Sequence, residues 1–461
     1  MTPLWTSAEI EQATGGVASA AFEVRGITFD SREVGPGDLF VAMPGTVTDG
    51  HVFVDGAFVS GAAGALVSQP VSGPHVLIPD VAQALTALAT AARERTSARL
   101  VGVTGSVGKT STKEALAAAL ERSCRGQVHR SVKSYNNHTG VPLSLARMPR
   151  DSRYAVLEMG MNNRGEIAAL TRLVRPHIAI ITALAPAHIE NLGSMEAIAA
   201  AKAEVFEGLQ PGGIAIVPEE TEQRDQLVKA ARRHAAEVIT FGGSDADVAA
   251  LHAVRADNGG SLITARLLES ELTYTVSQRG EHWVSNSLAV LAAVEALGAD
   301  LAAAGLALAD MGGLKGRGER RRIKVEGGSA LLIDESYNAN AASMAATLKS
   351  LGEERGASRR IAVLGPMREV GAQSDTLHAG LAPAIMGAHV DRLILIGEEF
   401  RPLEQALGGA VPLERAMDAD DATDRLKKLL APGDAVLVKA SNSVGLARLV
   451  EAVAGGAACS T

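Results

Sequence analysis

Cysteine is nearly absent from this chain, with 2 among 461 residues. Cys124 and Cys459 are far apart and match no metal or redox spacing, so a disulfide framework is excluded and a reducing compartment fits. No apolar run is long enough to cross a bilayer. The longest, around Ile178 to Ala187, falls well short of the roughly 20 residues that a membrane helix needs, so no membrane insertion is expected. The opening residues, MTPLWTSAEIEQATGG, carry neither a basic stretch nor an apolar one, so no secretion signal is read and a cytoplasmic location is expected. Positive charge is not in excess either. A formal net charge of −8 argues against nucleic acid as a partner, because phosphate backbones reward dense positive surface. Fixed-period repeats and low-complexity tails are also missing, which leaves no case for a solenoid.

Hydrophobic residues supply 47% of the chain and charged residues 21%, enough for packed cores throughout. The length exceeds what one core organises, so two or three domains are expected. The first segment alternates short apolar strands with glycine turns (GITFDSREVGPGDLFVAMPG, HVFVDGAFVSGAAGALV, PHVLIP) and ends in an alanine-rich helix from Ala82 to Arg95. From Arg99 the strands become continuous apolar runs followed by helices: RLVGVTG, YAVLEMG, HIAIITAL and GGIAIVP. That is the pattern of a parallel sheet buried on both faces. Short antiparallel strands follow from about Ala246 to Gln278, and then SNSLAVLAAVEALG reads as an amphipathic helix. After the basic, glycine-rich stretch LKGRGERRRIKV a new set of strands begins: SALLIDES, RRIAVLG, DRLILIG and DAVLVKAS. The fold class is therefore α/β in three domains: a small N-terminal unit over 1–96, a central ATPase-like parallel sheet over 97–315 and a Rossmann-like unit over 316–461.

The strongest local signal is VTGSVGKTST, a strand entering a glycine turn and then a helix. Glycines let the backbone curl so that its N–H groups and the helix dipole face phosphate oxygens, Lys109 adds positive charge, and Thr110 can ligate Mg²⁺. The broad phosphate-loop pattern wants a glycine where this chain has Val103. Glu158 closes the strand YAVLEMG at the edge where open parallel sheets bind ligands, and could hold the nucleotide's Mg²⁺, although acidic residues also end strands for solubility. His188, after the next strand, is open between a structural and a functional role. Lys202 shares a helix face with Ile198 and Phe206, so it either snorkels its ammonium to the surface or is desolvated and able to react. DESYNAN, from Asp334 to Asn340, is a polar cluster at a strand end that helix capping alone does not explain. GPMREVG and KASNSVG end strands on the same edge.

These pieces, in this order, resemble the Mur ligases over nearly the whole chain. TGSVGKT is similar to that family's ATP loop, which departs from the broad pattern in the same way. Tyr135 to Pro142 (YNNHTGVP), Glu158 in LEMG, His188, and Lys202 in AKAEVF fall where the family places its ATP, Mg²⁺ and modified-lysine positions. The resemblance implies catalytic roles for Lys109, His188 and Lys202, with Lys202 carrying a carbamate. It implies ATP contacts from Thr104, Gly105, Ser106, Gly108, Lys109, Thr110, Ser111, Asn137, Asn286, Asp334, Tyr337 and Asn338. Mg²⁺ would be held by Thr110, Glu158, His188 and carbamylated Lys202. DSREVGPGDLFVAMPG, which contains Ser31 and Arg32, and DGHVFVDGA are similar to the UDP-sugar-binding domain of two family members. DESYNAN, with Asn340 as a substrate contact, resembles the member that adds a dipeptide. The implied reaction joins D-Ala-D-Ala to UDP-MurNAc-tripeptide through an acyl phosphate in peptidoglycan precursor synthesis, on a monomer whose domains close by hinge motion. Glu281 stands where arginine is common, Trp283 where asparagine is common, and KASN replaces the frequent KGSR; Arg317 and Arg320 both remain as the hinge-region arginine.

Overall fold

The computed structural model describes residues 2–45, 48–186, 189–256 and 259–455. Three α/β units follow one another along the chain, each built on its own sheet. In the first, Gly26–Thr28, Asp38–Val41, Gly64–Val67 and His75–Leu77 run parallel, and Val17–Ala18 adds an antiparallel edge. The helix Val81–Glu94 starts at Asp80, whose carboxylate accepts from the amides of Ala82 and Gln83 at 2.9 and 3.0 Å. That cap satisfies two of the four donors a helix start leaves open.

The central sheet has nine strands. Seven are parallel, in the spatial order Val128–Arg130, Tyr154–Glu158, Arg99–Thr104, Ile178–Ile181, Ile214–Pro218, Glu237–Gly242 and Val248–Arg255. Ser261–Arg266 and Glu271–Val276 extend it antiparallel, as expected for the segment from about Ala246 to Gln278. The apolar runs are continuous because both faces are covered. Val101, Val103 and Val156 pack on one side with the helices Lys109–Ser123 and Glu281–Ala296; Leu100, Ala155 and Leu157 pack on the other. The helix Glu281–Ala296 is not amphipathic, which corrects the sequence expectation: Asn286 to Val294 are all buried, because it lies between the sheet and two neighbouring helices.

The third sheet orders Glu319–Val325, Gly328–Glu335, Asp434–Lys439, Arg359–Leu364, Arg392–Ile396 and Leu413–Ala416, parallel except for its first strand. The basic stretch read as a boundary therefore supplies a charged edge strand, a form that discourages pairing with other chains. Among the described residues no helix is long and apolar enough to cross a membrane. The carboxyl ends of the central and third sheets open onto a shared cleft of about 620 Å³, the edge where open α/β sheets place ligands.

Candidate active site

The strand Arg99–Thr104 delivers the chain into the turn 105–108 and the helix Lys109–Ser123. Gly108 sits at φ 85°, and a Cβ there would lie 2.8 Å from Asn286 Oδ1. A Cβ on Gly105 would collide with Thr182 Oγ1, which donates to Val107 O at 2.6 Å and pins the turn. The glycines are needed for close approach and for the left-handed backbone at 108. Lys109 Nζ donates to Gly105 O at 2.7 Å, folded over the turn, and burial lowers its pKa while Glu158 opposes that. Among the described residues, Thr104 Oγ1, Ser106 Oγ and Asn286 Nδ2 are buried without partners. Buried polar atoms are almost always paired, and a phosphate group in the turn would meet the unspent capacity of Ser106 and Asn286, which line the cleft. Gly108→Ala is expected to cost about 1–2 kcal/mol through left-handed strain alone and to push Asn286 aside, read as a lower Tm together with weaker ATP-analogue binding.

Behind the turn, Glu158 is fully buried. Its Oε2 accepts from Thr110 Oγ1 and its Oε1 from Asn136 Nδ2, both at 2.7 Å. Lys202, on the helix Met195–Ala203, is only 2% exposed. Burial rules out the snorkelling alternative. The side chain has no hydrogen-bond or ion-pair partner among the described residues, and burial, aided by the charge of Lys109, pushes its pKa well below the ordinary lysine range. His188 lies outside the described residues. Among those described, no group of three histidine, cysteine or carboxylate side chains stands ready for a metal. Thr110 and Glu158 supply oxygens of the kind Mg²⁺ prefers, and Lys202 lines the same cleft.

Across the cleft, the third unit contributes Tyr337, Asn338 and Asn340. Asp334 does not line the cleft: its carboxylate is spent on Gly316 N at 2.8 Å and on Ser336 N and Oγ at 3.0 and 2.6 Å. It holds the loop that the others stand on. Asn340 caps the helix Ala341–Gly352, and Asn137 Oδ1 accepts from Gly140 N at 2.9 Å at the start of Gly140–Ala146, while both face the cleft. Of the two hinge arginines, Arg317 lines the cleft with its guanidinium 4.1 Å from the Tyr337 ring, whereas Arg320 pairs with Glu354. Ser31 and Arg32 lie in the first unit, outside this cleft, with Arg32 paired to Asp30 at 2.6 Å. Ion pairs bridge the central and third units around the rim: Glu281 to Lys349 at 2.9 Å, Arg255 to Glu353 at 3.2 Å and Arg279 to Glu354 at 2.6 Å.

Sequence reasoning missed Glu335, Lys439 and His282, all on the cleft wall. Glu335 and Lys439 stand 3.5 Å apart; burial raises the first pKa and lowers the second. Burial also pushes His282 down to about 4, so it is neutral near pH 7. The available signal was weak: two strand-end motifs and a helix start.

A phosphate turn, a buried carboxylate and a nearly buried lysine on one lobe, facing a Rossmann-like lobe across one cleft, define a two-lobed nucleotide-binding enzyme. The family models agree in order and extent. The Mur ligase family catalytic domain matches residues 23–96, the Mur ligase middle domain 103–294 and the Mur ligase glutamate ligase domain 316–442. The UDP-N-acetylmuramoyl-tripeptide--D-alanyl-D-alanine ligase of Escherichia coli (strain K12) is 34% identical, over 96% of this chain and 97% of that one. The Bacillus subtilis (strain 168) ligase of the same name is 32% identical over 96% of both. Among solved structures, MurF from Acinetobacter baumannii superposes with a TM-score of 0.83 at 27% identity, covering 98% of this chain and 99% of that one. The MurF ligase from Thermotoga maritima in complex with ADP gives 0.76 at 26% identity, covering 94% and 97%. The chain belongs to the Mur ligase family.

Proposed function

We propose that this enzyme joins D-Ala-D-Ala to UDP-MurNAc-tripeptide at the expense of ATP, yielding UDP-MurNAc-pentapeptide, ADP and phosphate for peptidoglycan. The observation that carries this reading is the cleft itself, where a phosphate turn with unspent donors faces the DESYNAN loop. Relatives named for this reaction align over nearly their full length. We place the domain boundaries at 96/97 and 315/316, with Ser31 and Arg32 on the UDP-linked substrate and Asn340 on the substrate side of the third unit. We take the enzyme to act as a monomer, and the ATP and UDP-linked reactants support a cytoplasmic setting.

The tripeptide's terminal carboxylate attacks the γ-phosphorus and the bond to ADP breaks, giving an acyl phosphate. Lys109 and the N–H groups of the turn stabilise charge spreading over the phosphoryl oxygens. Thr110, Glu158, His188 and carbamylated Lys202 would hold Mg²⁺, which would supply further charge neutralisation there. The dipeptide's neutral amine then attacks the acyl carbon, loses a proton, and phosphate departs with the bonding pair. Closure of the lobes over the cleft keeps water from the acyl phosphate. Phosphate release is measured with ATP, Mg²⁺ and UDP-MurNAc-tripeptide, with and without D-Ala-D-Ala. Dipeptide-dependent release with a pentapeptide mass is the expected result; release that instead follows a single amino acid would assign a sibling ligase.

A further inference from the structure

One short segment, residues 131–137, touches all three units. Lys133 pairs with Glu33, and the Tyr135 ring lies 5.3 Å from that of Phe29, both partners belonging to the first unit. Ser134 Oγ meets Tyr337 Oη of the third unit. Asn136 donates to Glu158, and Ser131 Oγ accepts from the Glu158 amide at 3.0 Å. The segment thus leads from the edge of the first unit to the carboxylate beside the phosphate turn.

It is fastened from beneath by one side chain. Lys113, two helical positions past Ser111 on the phosphate-turn helix, is fully buried. Its ammonium donates to Ser131 O at 2.7 Å and to Lys133 O at 2.6 Å, and pairs with Glu114 Oε1 at 2.8 Å. An ammonium has three donors, and here three acceptors take them. Glu114 also pairs with Arg130 at 2.8 Å, just ahead of the segment. Lys133 itself adopts φ 52°, a left-handed conformation that non-glycine residues hold only where their surroundings impose it. Burying a lysine to bond two loop carbonyls is a costly way to build a helix surface; it is an effective way to fix a loop.

We propose that Lys113 is a positioning residue which, through residues 131–137, ties the Glu158 end of the cleft to the first unit, so that binding of the UDP-linked substrate tightens binding of ATP. This rests on the function proposed above. Coupling between two sites is reciprocal and usually spans 5–150-fold, so an effect of about tenfold is expected in the unaltered enzyme. The test compares the Kd of a non-hydrolysable ATP analogue with Mg²⁺, with and without saturating UDP-MurNAc-tripeptide. In Lys113→Met the coupling is expected to fall below about twofold, while the Kd for UDP-MurNAc-tripeptide alone stays within about threefold and Lys113→Arg recovers part of the coupling. A merely structural lysine would lower Tm and leave the coupling intact. Folded Lys113→Met with unaltered coupling overturns the proposal. Should that variant not fold, Glu33→Gln on the surface is expected to at least halve the coupling, and no change overturns it equally. Failure of the unaltered enzyme to bind UDP-MurNAc-tripeptide would instead sink the functional reading.

Discussion

Lys202→Ala is expected to lose about 10³-fold in ligation, the scale on which enzymes depend on a single preorganised charge at a transferring phosphoryl group. The Lys202 amine, on a nearly buried side chain lining the cleft, is unsuited to stay an ammonium, since burial and Lys109 both disfavour its charge. A neutral amine there would add to CO₂, releasing a proton and leaving a carbamate anion that Lys109 would stabilise. The product is a carboxylate in place of a cation, longer than any natural acidic side chain. Activity of the unaltered enzyme, stripped of CO₂, should therefore fall and return with bicarbonate, while Lys202→Ala responds to neither treatment. Full activity in Lys202→Ala would remove the carbamate from the mechanism. A lysine-modified mass lost on acidification is the matching direct observation.

Lys109→Ala is expected to abolish ATP-dependent phosphate release to a similar extent, about 10³-fold, with little change in Tm. The argument for retained folding is local. Among the described residues its ammonium bonds only Gly105 O and Ser106 O in the turn, and the turn is held independently by Thr182 Oγ1 donating to Val107 O and by Ser106 N donating to Ala183 O at 2.7 Å. The lysine is thus parked on the backbone, ready to exchange two carbonyls for phosphate oxygens. An unchanged rate would remove the phosphate turn from catalysis; a large fall in Tm would show that the lysine supports the turn itself.

The parallel strands were legible because a strand covered on both faces must be apolar at every position, as Leu100, Val101 and Val103 are. The phosphate turn was legible because few residues other than glycine tolerate the contacts at 105 and 108. Edge strand Glu319–Val325 was hidden in a basic stretch, since an edge strand is selected for charge rather than for apolar alternation. Asp334 looked like a ligand-binding group, but amides two residues on and across the hinge consume its carboxylate, a pairing that only the folded loop creates. Lys113 gave no signal at all: a lysine within a helix reads as solvated surface, and its burial depends on a segment 18 to 20 residues further along. Glu335 and Lys439 come from strands nearly a hundred residues apart, so their pairing was out of reach of local pattern.

The rim of ion pairs between the central and third lobes has a pharmacological consequence. Glu281, Lys349, Arg255 and Glu353 are largely exposed, and such pairs contribute less than about 1 kcal/mol each and weaken with salt. A small molecule wedged into the cleft works against these two exposed contacts and against the more buried Arg279–Glu354 pair. The potency of an inhibitor that props the lobes apart should therefore depend on the ionic strength at which it is assayed.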